Sequence, residues 1–326
     1  MKRLIAVVVA VVMIVGAVLL RDRIDGDDGS GGSGGGDDGL QLVCDTSLAD
    51  VCEQLAAGRD DLRVEVRESG ATSDGLSTEE GQLDADAWLT TSAWPEVTAD
   101  NRAFAGLDRP VLDDASEVLA RSPAMIVTRS DGRAALEEAC GAPITWRCVG
   151  GQVPPQRVGL PTPERADGLT VLASAADSWF EGENYDSLDL DGPDFAGWFD
   201  DLTGLSATTR LGDQTPLARA LAAAGTFTTV GALEAETSRR LAGSRSYEAI
   251  YAEPMVTADV VLVPRAGSDA GELLDELGRD ALTEQLRTAG WRVDGRAPEG
   301  AQDPPSLPDD DGLPSAGVLQ ALRARW

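Results

Sequence analysis

Apolar residues along the body of the chain recur with two alternating periods, near 2 and near 3.6, and each predicts an element. Residues 40–44 (LQLVC) form a short apolar strand. In residues 46–57, Leu48, Val51, Cys52 and Leu55 share one helical face between an Asp/Thr/Ser start and a Gly58 stop. Strands are expected at 62–66, at 85–90 (ahead of the polar run TTSAW), at 124–128 (AMIVT), at 157–160 (stopped by Pro-Thr-Pro) and, strongly, at 256–263. Helices are expected at 133–140, 163–180, 194–202, 216–223, 230–241 and 269–289. Residues 296–313, rich in Pro, Asp and Gly, predict irregular chain, and 315–326 a last helix with Val318, Leu319 and Leu322 on one side. Such βαβα alternation without a tandem repeat predicts an α/β fold with largely parallel sheets.

The first part of the chain follows a different rule. Residues 4–20 (LIAVVVAVVMIVGAVLL) are uninterrupted apolar chain between Lys2/Arg3 and Arg21/Arg23, ~25 Å long as a helix and enough for a short membrane span. No small-x-small cleavage site follows Leu20 and no cysteine lies near for a lipid, which favours an uncleaved transmembrane anchor over residues 1–23. A cleaved signal peptide is the alternative, and both place residues 40–326 outside the cytoplasm. Residues 24–39 (IDGDDGSGGSGGGDDG) read as a flexible charged linker spanning roughly 20–25 Å.

Composition narrows the chemistry. The chain carries 56 acidic and 27 basic residues, a net charge of −29 and no histidine. Lys2 is its single lysine, so every other cation is an arginine. Without histidine, Ser-His-Asp and Cys-His catalysis are excluded. The acidity argues against nucleic acid or an anionic bilayer as partner. Four cysteines, Cys44, Cys52, Cys140 and Cys148, allow three connectivities. The local pairs Cys44–Cys52 and Cys140–Cys148 are expected because each closes a short loop in an exported chain. Zinc ligation normally wants closer spacing.

Ligands of open α/β folds sit beyond the carboxyl ends of strands, where helix N-termini offer unpaired N–H groups. Three turns have that form: Cys44-Asp45-Thr46-Ser47, Thr90-Thr91-Ser92-Ala93 and Thr162-Pro163. Each also serves as an ordinary helix cap. Ser187–Gly192 (SLDLDG) carries part of a calcium-loop pattern, but Ser187 and Trp198 hold the positions that need carboxylates. Trp179, Phe195, Trp198 and Phe199 have the spacing of an apolar helix face, with stacking on a sugar or aromatic ligand as the alternative. No carboxylate pair stands out as glycosidase-like.

Taken together, several stretches resemble bacterial extracellular solute-binding proteins of the molybdate-binding type. VCDTSLADVCEQL is similar to their opening strand and helix, and SGATSDGLSTEEGQLDADAWLTTSAW to their second segment. Residues 122–127 resemble a strand settling into lobe one, 157–163 the crossover into lobe two, and 225–234 with 256–263 the end of lobe two and the way back. A closer likeness is to actinobacterial chains that join such a domain to a von Willebrand A module, with a short helix ending in Trp after the binding domain. No D-x-S-x-S adhesion motif is present, so no adhesive function carries over.

The resemblance implies an α/β, two-lobed type 2 clamp that closes by a hinge. Lobe one would take about 40–156 plus 257–292, lobe two 157–256, and a C-terminal tail and helix 293–326. It implies ligand contacts from Thr46, Ser47, Ala71, Thr72, Ser92 and Thr162, with Thr215 and Glu234 less secure. It implies a small-molecule ligand and, as protein partner, a membrane transporter or surface protein, with no cofactor, no metal and no enzymatic activity. Where oxyanion-binding relatives have a Gly/Tyr-containing helix start, this chain reads Glu164-Arg165-Ala166-Asp167-Gly168. Two acids there would repel a dianion, which leaves a cationic, peptide-like or sugar ligand. The alternative function is an extracytoplasmic interaction module of the same fold without a small ligand.

Overall fold

The computed structural model describes residues 39–326 except 153–156, 210, 212–213, 224 and 302–303. The expected span at 4–20 and the linker as far as residue 38 lie outside the described residues. Among the described residues no helix is long and apolar enough to cross a membrane.

From the N-terminal side, β1 (Leu40–Asp45) passes through a 3-10 turn (Thr46–Leu48) into α1 (Ala49–Ala56). Next come β2 (Leu62–Arg67), α2 (Ser69–Leu76), β3 (Ala87–Thr91), α3 (Ala93–Phe104) and β4 (Ala120–Arg129). The middle of the chain forms α4 (Ser130–Cys140), α5 (Trp146–Gly150), β5 (Val158–Gly159), α6 (Ala166–Trp179), α7 (Pro193–Thr208), α8 (Pro216–Ala222), β6 (Thr229–Leu233), α9 (Glu234–Arg240) and β7 (Tyr247–Tyr251). The chain ends with β8 (Thr257–Pro264), α10 (Ala270–Leu277), α11 (Arg279–Thr288) and α12 (Ala316–Arg325).

The strands run in the order β2-β1-β3-β8-β4-β6-β5, with β7 also on β4. Only the pairings β1–β2, β1–β3 and β5–β6 are parallel. Those of β8 with β3 and β4, and of β4 with β6 and β7, are antiparallel. The expectation of largely parallel sheets is therefore corrected to a mixed architecture. Its cause is the pair of crossings: β4 and the chain from β7 to β8 pass between lobes without a crossover helix, so the returning strands pair antiparallel.

The long strand β4 belongs to both lobes. Residues 120–123 pair with 257–260 of β8, and 124–128 pair with 229–233 of β6. The first crossing thus falls between Pro123 and Ala124, earlier than the boundary expected at residue 157. Residues 122–127 do not settle into lobe one; they leave it. The second crossing runs from β7 to β8. Lobe one is built on β1, β2, β3, β8 and the start of β4, and lobe two on the remainder of β4 with β5, β6 and β7.

Two helical expectations also change. The stretch 230–241, expected as one helix, divides into β6 and α9, because Val230–Leu233 fits a strand buried at every position. The long helix expected at 269–289 breaks at Gly278, whose φ of 83° caps α10 and starts α11. Both expected disulfides are present, Cys44–Cys52 and Cys140–Cys148. The first ties β1 to α1 inside the core, where both residues are buried.

The centre of the fold is α6. Every residue from Ala166 to Ala176 is buried, which a run rich in Ala, Gly and Ser allows. One face packs with Phe199, Trp146 and Leu190 in lobe two. Leu169 and Ala173 pack instead with Trp94, Val97 and Val43 of lobe one. At its start, a Cβ on Gly168 would stand 1.8 Å from the Thr162 carbonyl oxygen, so only glycine fits. The two cores are joined through this helix.

A second tie comes from α12, which the sequence pattern foresees as an amphipathic helix. Val318 and Leu322 enter the lobe-two core and Leu319 the shared core. Arg323 reaches Asp74 of α2 in lobe one at 2.7 Å and Glu164, just ahead of α6, at 2.6 Å. Its guanidinium lies 5.5 Å from the Trp94 ring centre. The expected aromatic face is core: Phe195 stacks on Phe199 and, with Trp198, is buried in lobe two.

Beside that cluster, burial pushes the Asp177 carboxyl up to about 6 from 3.8. A carboxyl raised on folding contributes stability below its unfolded pKa and loses that contribution as pH rises through the folded value. Asp177→Asn should therefore stabilise the protein at pH 8 by on the order of 1 kcal/mol, the full shift being discounted for partial solvent access. The gain should vanish near pH 4. Urea titrations at the two pH values check it, and an equal gain at both would count against the assignment.

Candidate functional site

A cleft lies where the carboxyl end of β1 faces the start of α6. Two adjoining cavities form it, about 220 and 450 Å³, and Thr46, Ala49, Arg165 and Thr215 line both. The smaller is walled by Ser47, Asp50, Asp167, Glu236, Arg239, Arg240 and Trp291. The larger is walled by Glu68, Leu160, Pro161, Thr162, Gln214 and Trp326 among others. Together they fall within the size range of small-ligand pockets.

Charge in the smaller cavity is matched. Arg165 grips Asp167 through two bonds, Nε–Oδ1 at 2.8 Å and Nη2–Oδ2 at 3.1 Å. Glu236 accepts from Arg240 Nε at 2.7 Å and from the Thr215 hydroxyl, which also caps α8. Arg239 reaches across to Asp50 of α1 at 2.6 Å. Three arginines thus meet three carboxylates. Burial pushes the Glu236 carboxyl above the usual glutamate range, opposed by the Thr215 bond and the arginines. The Arg165 guanidinium is held more firmly protonated than usual by the Asp167 charge.

Behind the cleft lies Asp45, which is fully buried. Its Oδ1 accepts from Ser47 N at 2.7 Å. Its Oδ2 accepts from Ser69 N at 3.1 Å, Ser69 Oγ at 2.7 Å and Ala166 N at 3.2 Å. Ser69 opens α2 in lobe one and Ala166 opens α6 across the cleft. Burial pushes this carboxyl up, and the Ser47 and Ser69 donors pull it down.

The structure brings together four of the expected contact residues, Thr46, Ser47, Thr162 and Thr215. The hydroxyls of Thr46 and Ser47 are buried and have no hydrogen-bond partner among the described residues. The other four stand elsewhere. Ala71 is exposed on α2, and Thr72 lies on that helix with its Oγ1 3.4 Å from the Glu68 carbonyl. Ser92 is held by Asp311 at 3.1 Å. Glu234 is buried at the hinge in an ion pair with Arg292. The two acids expected to repel a dianion are not bare, since Asp167 is paired with Arg165 and Glu164 with Arg323.

Sequence reasoning missed Asp45, Arg165, Glu236, Arg239, Arg240 and Trp291. The signals were present but weak: an Asp directly before a Thr-Ser helix start, and adjacent arginines at the end of a short helix. Residues 187–192 form a surface turn in which Asp186 Oδ1 accepts from Leu188 N at 2.7 Å. Among the described residues no group of three or more Cys, Asp or Glu side chains is placed to hold a metal ion.

Two lobes, two extended crossings and a cleft between them define the fold of the type 2 periplasmic solute-binding proteins. No protein-family model matches the sequence, and no curated protein does. Solved structures match over most of the chain. The periplasmic binding protein AfuA of Actinobacillus pleuropneumoniae, with fructose-6-phosphate bound, is similar with a TM-score of 0.57 at 13% identity, covering 88% of this chain and 97% of that one. Iron-bound HitA of Pseudomonas aeruginosa gives 0.57 at 13%, covering 88% and 99%. The ferric binding protein of Campylobacter jejuni gives 0.57 at 9%, covering 87% and 96%. At these identities the shared property is the fold.

Proposed function

We propose that the chain is an exported solute-binding protein that holds a small zwitterionic ligand, of the amino-acid or short-peptide class, between its lobes. The observation that carries this reading is the cleft wall of three arginines and three carboxylates beside two unpartnered hydroxyls. A ligand bearing both charges can exchange with such pairs without leaving a bare charge in the cleft. A free dianion or dication would leave one set unmatched. Iron cargo, as named for two of the similar structures, finds no matching cluster among the described residues, and none of the three tyrosines lines the cleft.

Residues 4–20 are proposed as an uncleaved tether, with the folded body outside the cell and delivery to a membrane transporter or surface protein as its task. No catalytic step is assigned. A thermal-shift screen against amino acids, dipeptides, sugars and oxyanions, run on membrane-extracted protein, tests the ligand class. A ligand at 100 times its Kd should add about 2.7 kcal/mol of stability. Arg165→Met should abolish that gain. A panel with no response would sink the ligand reading, and release of the chain with an N-terminus beyond residue 20 would sink the tether.

A second reading has its own support. The lobes already touch through Asp45–Ala166, through Gly70 N donating to the Glu164 carbonyl at 2.8 Å, and through α12. A clamp held shut by its own groups also suits an interaction module without a small ligand, and the unresponsive panel would favour it.

A further inference from the structure

The N-termini of α2 and α6 come from opposite lobes and converge on one point, and a side chain of the protein already fills it. Asp45 Oδ2 takes the first N–H of each helix, at 3.1 Å from Ser69 and 3.2 Å from Ala166. The Ser69 hydroxyl adds a third donor at 2.7 Å and is itself 2.7 Å from Thr90 Oγ1. Ser47 N binds the other oxygen at 2.7 Å. A helix N-terminus presents unpaired N–H groups and the positive end of the peptide dipoles, so two aimed at one atom favour an anion. The carboxylate is fully buried, and among the described residues no arginine is hydrogen-bonded to it.

We infer that Asp45 is a built-in anionic ligand: it occupies the interlobe anion position, holds the lobes together through it, and bars free oxyanions from the cleft. The inference does not depend on the ligand class proposed above. It makes Asp45 the residue that decides against oxyanions, with α6 as the element it positions. Any ligand must then bind beside this point, against Thr46, Arg165 and Thr215, and not at the start of α6.

Removing the side chain should uncover a vacant anion hole. In Asp45→Gly the four donors lose their acceptor, and the melting temperature should fall by more than ~5 °C. Formate, which restores the missing carboxylate, should recover at least half of that loss at ~100 mM. Sodium gluconate at matched ionic strength, a carboxylate too bulky for the hole, should not. Wild-type protein should not respond to formate. The inference is overturned if the variant melts like wild type, if formate and gluconate act alike on it, or if formate stabilises both proteins equally. If the variant does not accumulate folded, refolding it from urea with its disulfides intact gives the same comparison. Formate-dependent recovery supports the inference, and equal recovery in gluconate overturns it.

Discussion

Arg292→Met should cost about 3–5 kcal/mol of unfolding free energy, the largest effect expected from any single substitution here. The pair it breaks is buried on both sides, with Arg292 2% and Glu234 1% exposed. Arg292 Nε and Nη2 meet the two Glu234 oxygens at 2.5 and 2.7 Å, and Nη1 donates to the Pro305 carbonyl at 2.7 Å. The Tyr251 hydroxyl donates to Glu234 Oε1 at 2.5 Å. Burial first, and Glu234 second, push the Tyr251 phenol up, so it stays a donor at any working pH. Methionine keeps most of the arginine stem but leaves Glu234 charged and dry. Adding Glu234→Gln should recover a large part of the loss, because the uncompensated charge is then gone. Urea unfolding of the single and double variants checks both statements, and a single-variant cost below ~1 kcal/mol would refute them. Glu234 is one of the two less secure ligand contacts that the resemblance implies; in the structure it fastens α9 to the hinge through Arg292.

Leu319→Ala should cost about 2–5 kcal/mol and should loosen the lobes from each other. Leu319 is fully buried in the core shared by α3, α6 and α12. Truncating it leaves a cavity where both lobes meet the last helix. Its effect should therefore spread: amide exchange should speed up in the first turn of α6 as well as in α12. Exchange confined to 316–325 would show that α12 only lies against the surface. Because α6 joins both cores, denaturant should unfold the wild-type protein in one transition.

Much of the fold was legible because its elements bury one clean face. β1, β3, β8 and α12 lie within a residue or two of the expected positions, and the two cysteine pairs are local. The strand β7 was not, since Tyr247–Tyr251 is short and only Tyr247 is fully buried. β6 was hidden because its apolar residues run directly into α9 and continue the helical spacing. The site was half legible. Thr46, Ser47, Thr162 and Thr215 sit at turns whose chemistry is local. Asp45 acquires its role from a partner 121 positions away that only the assembled lobes supply. Arg165 and Glu236 bond to nearer residues and become site groups only because the fold places them on one cleft wall.

The order of the strands has a consequence for how the chain comes to be folded. β8 is the last strand synthesised, yet it lies in the middle of the lobe-one sheet, between β3 and β4. All of its residues and all of β3 are buried in the finished protein. Until residue 264 has emerged, β3 presents an open, apolar edge, the kind of surface on which nascent chains aggregate. The strands of lobe two, which lie in the sequence between the two halves of lobe one, have all been made by residue 251, and only the α12 contacts to their core come later. Lobe one must wait with its centre missing, so protection of its open edge would be needed most during synthesis of residues 92–256.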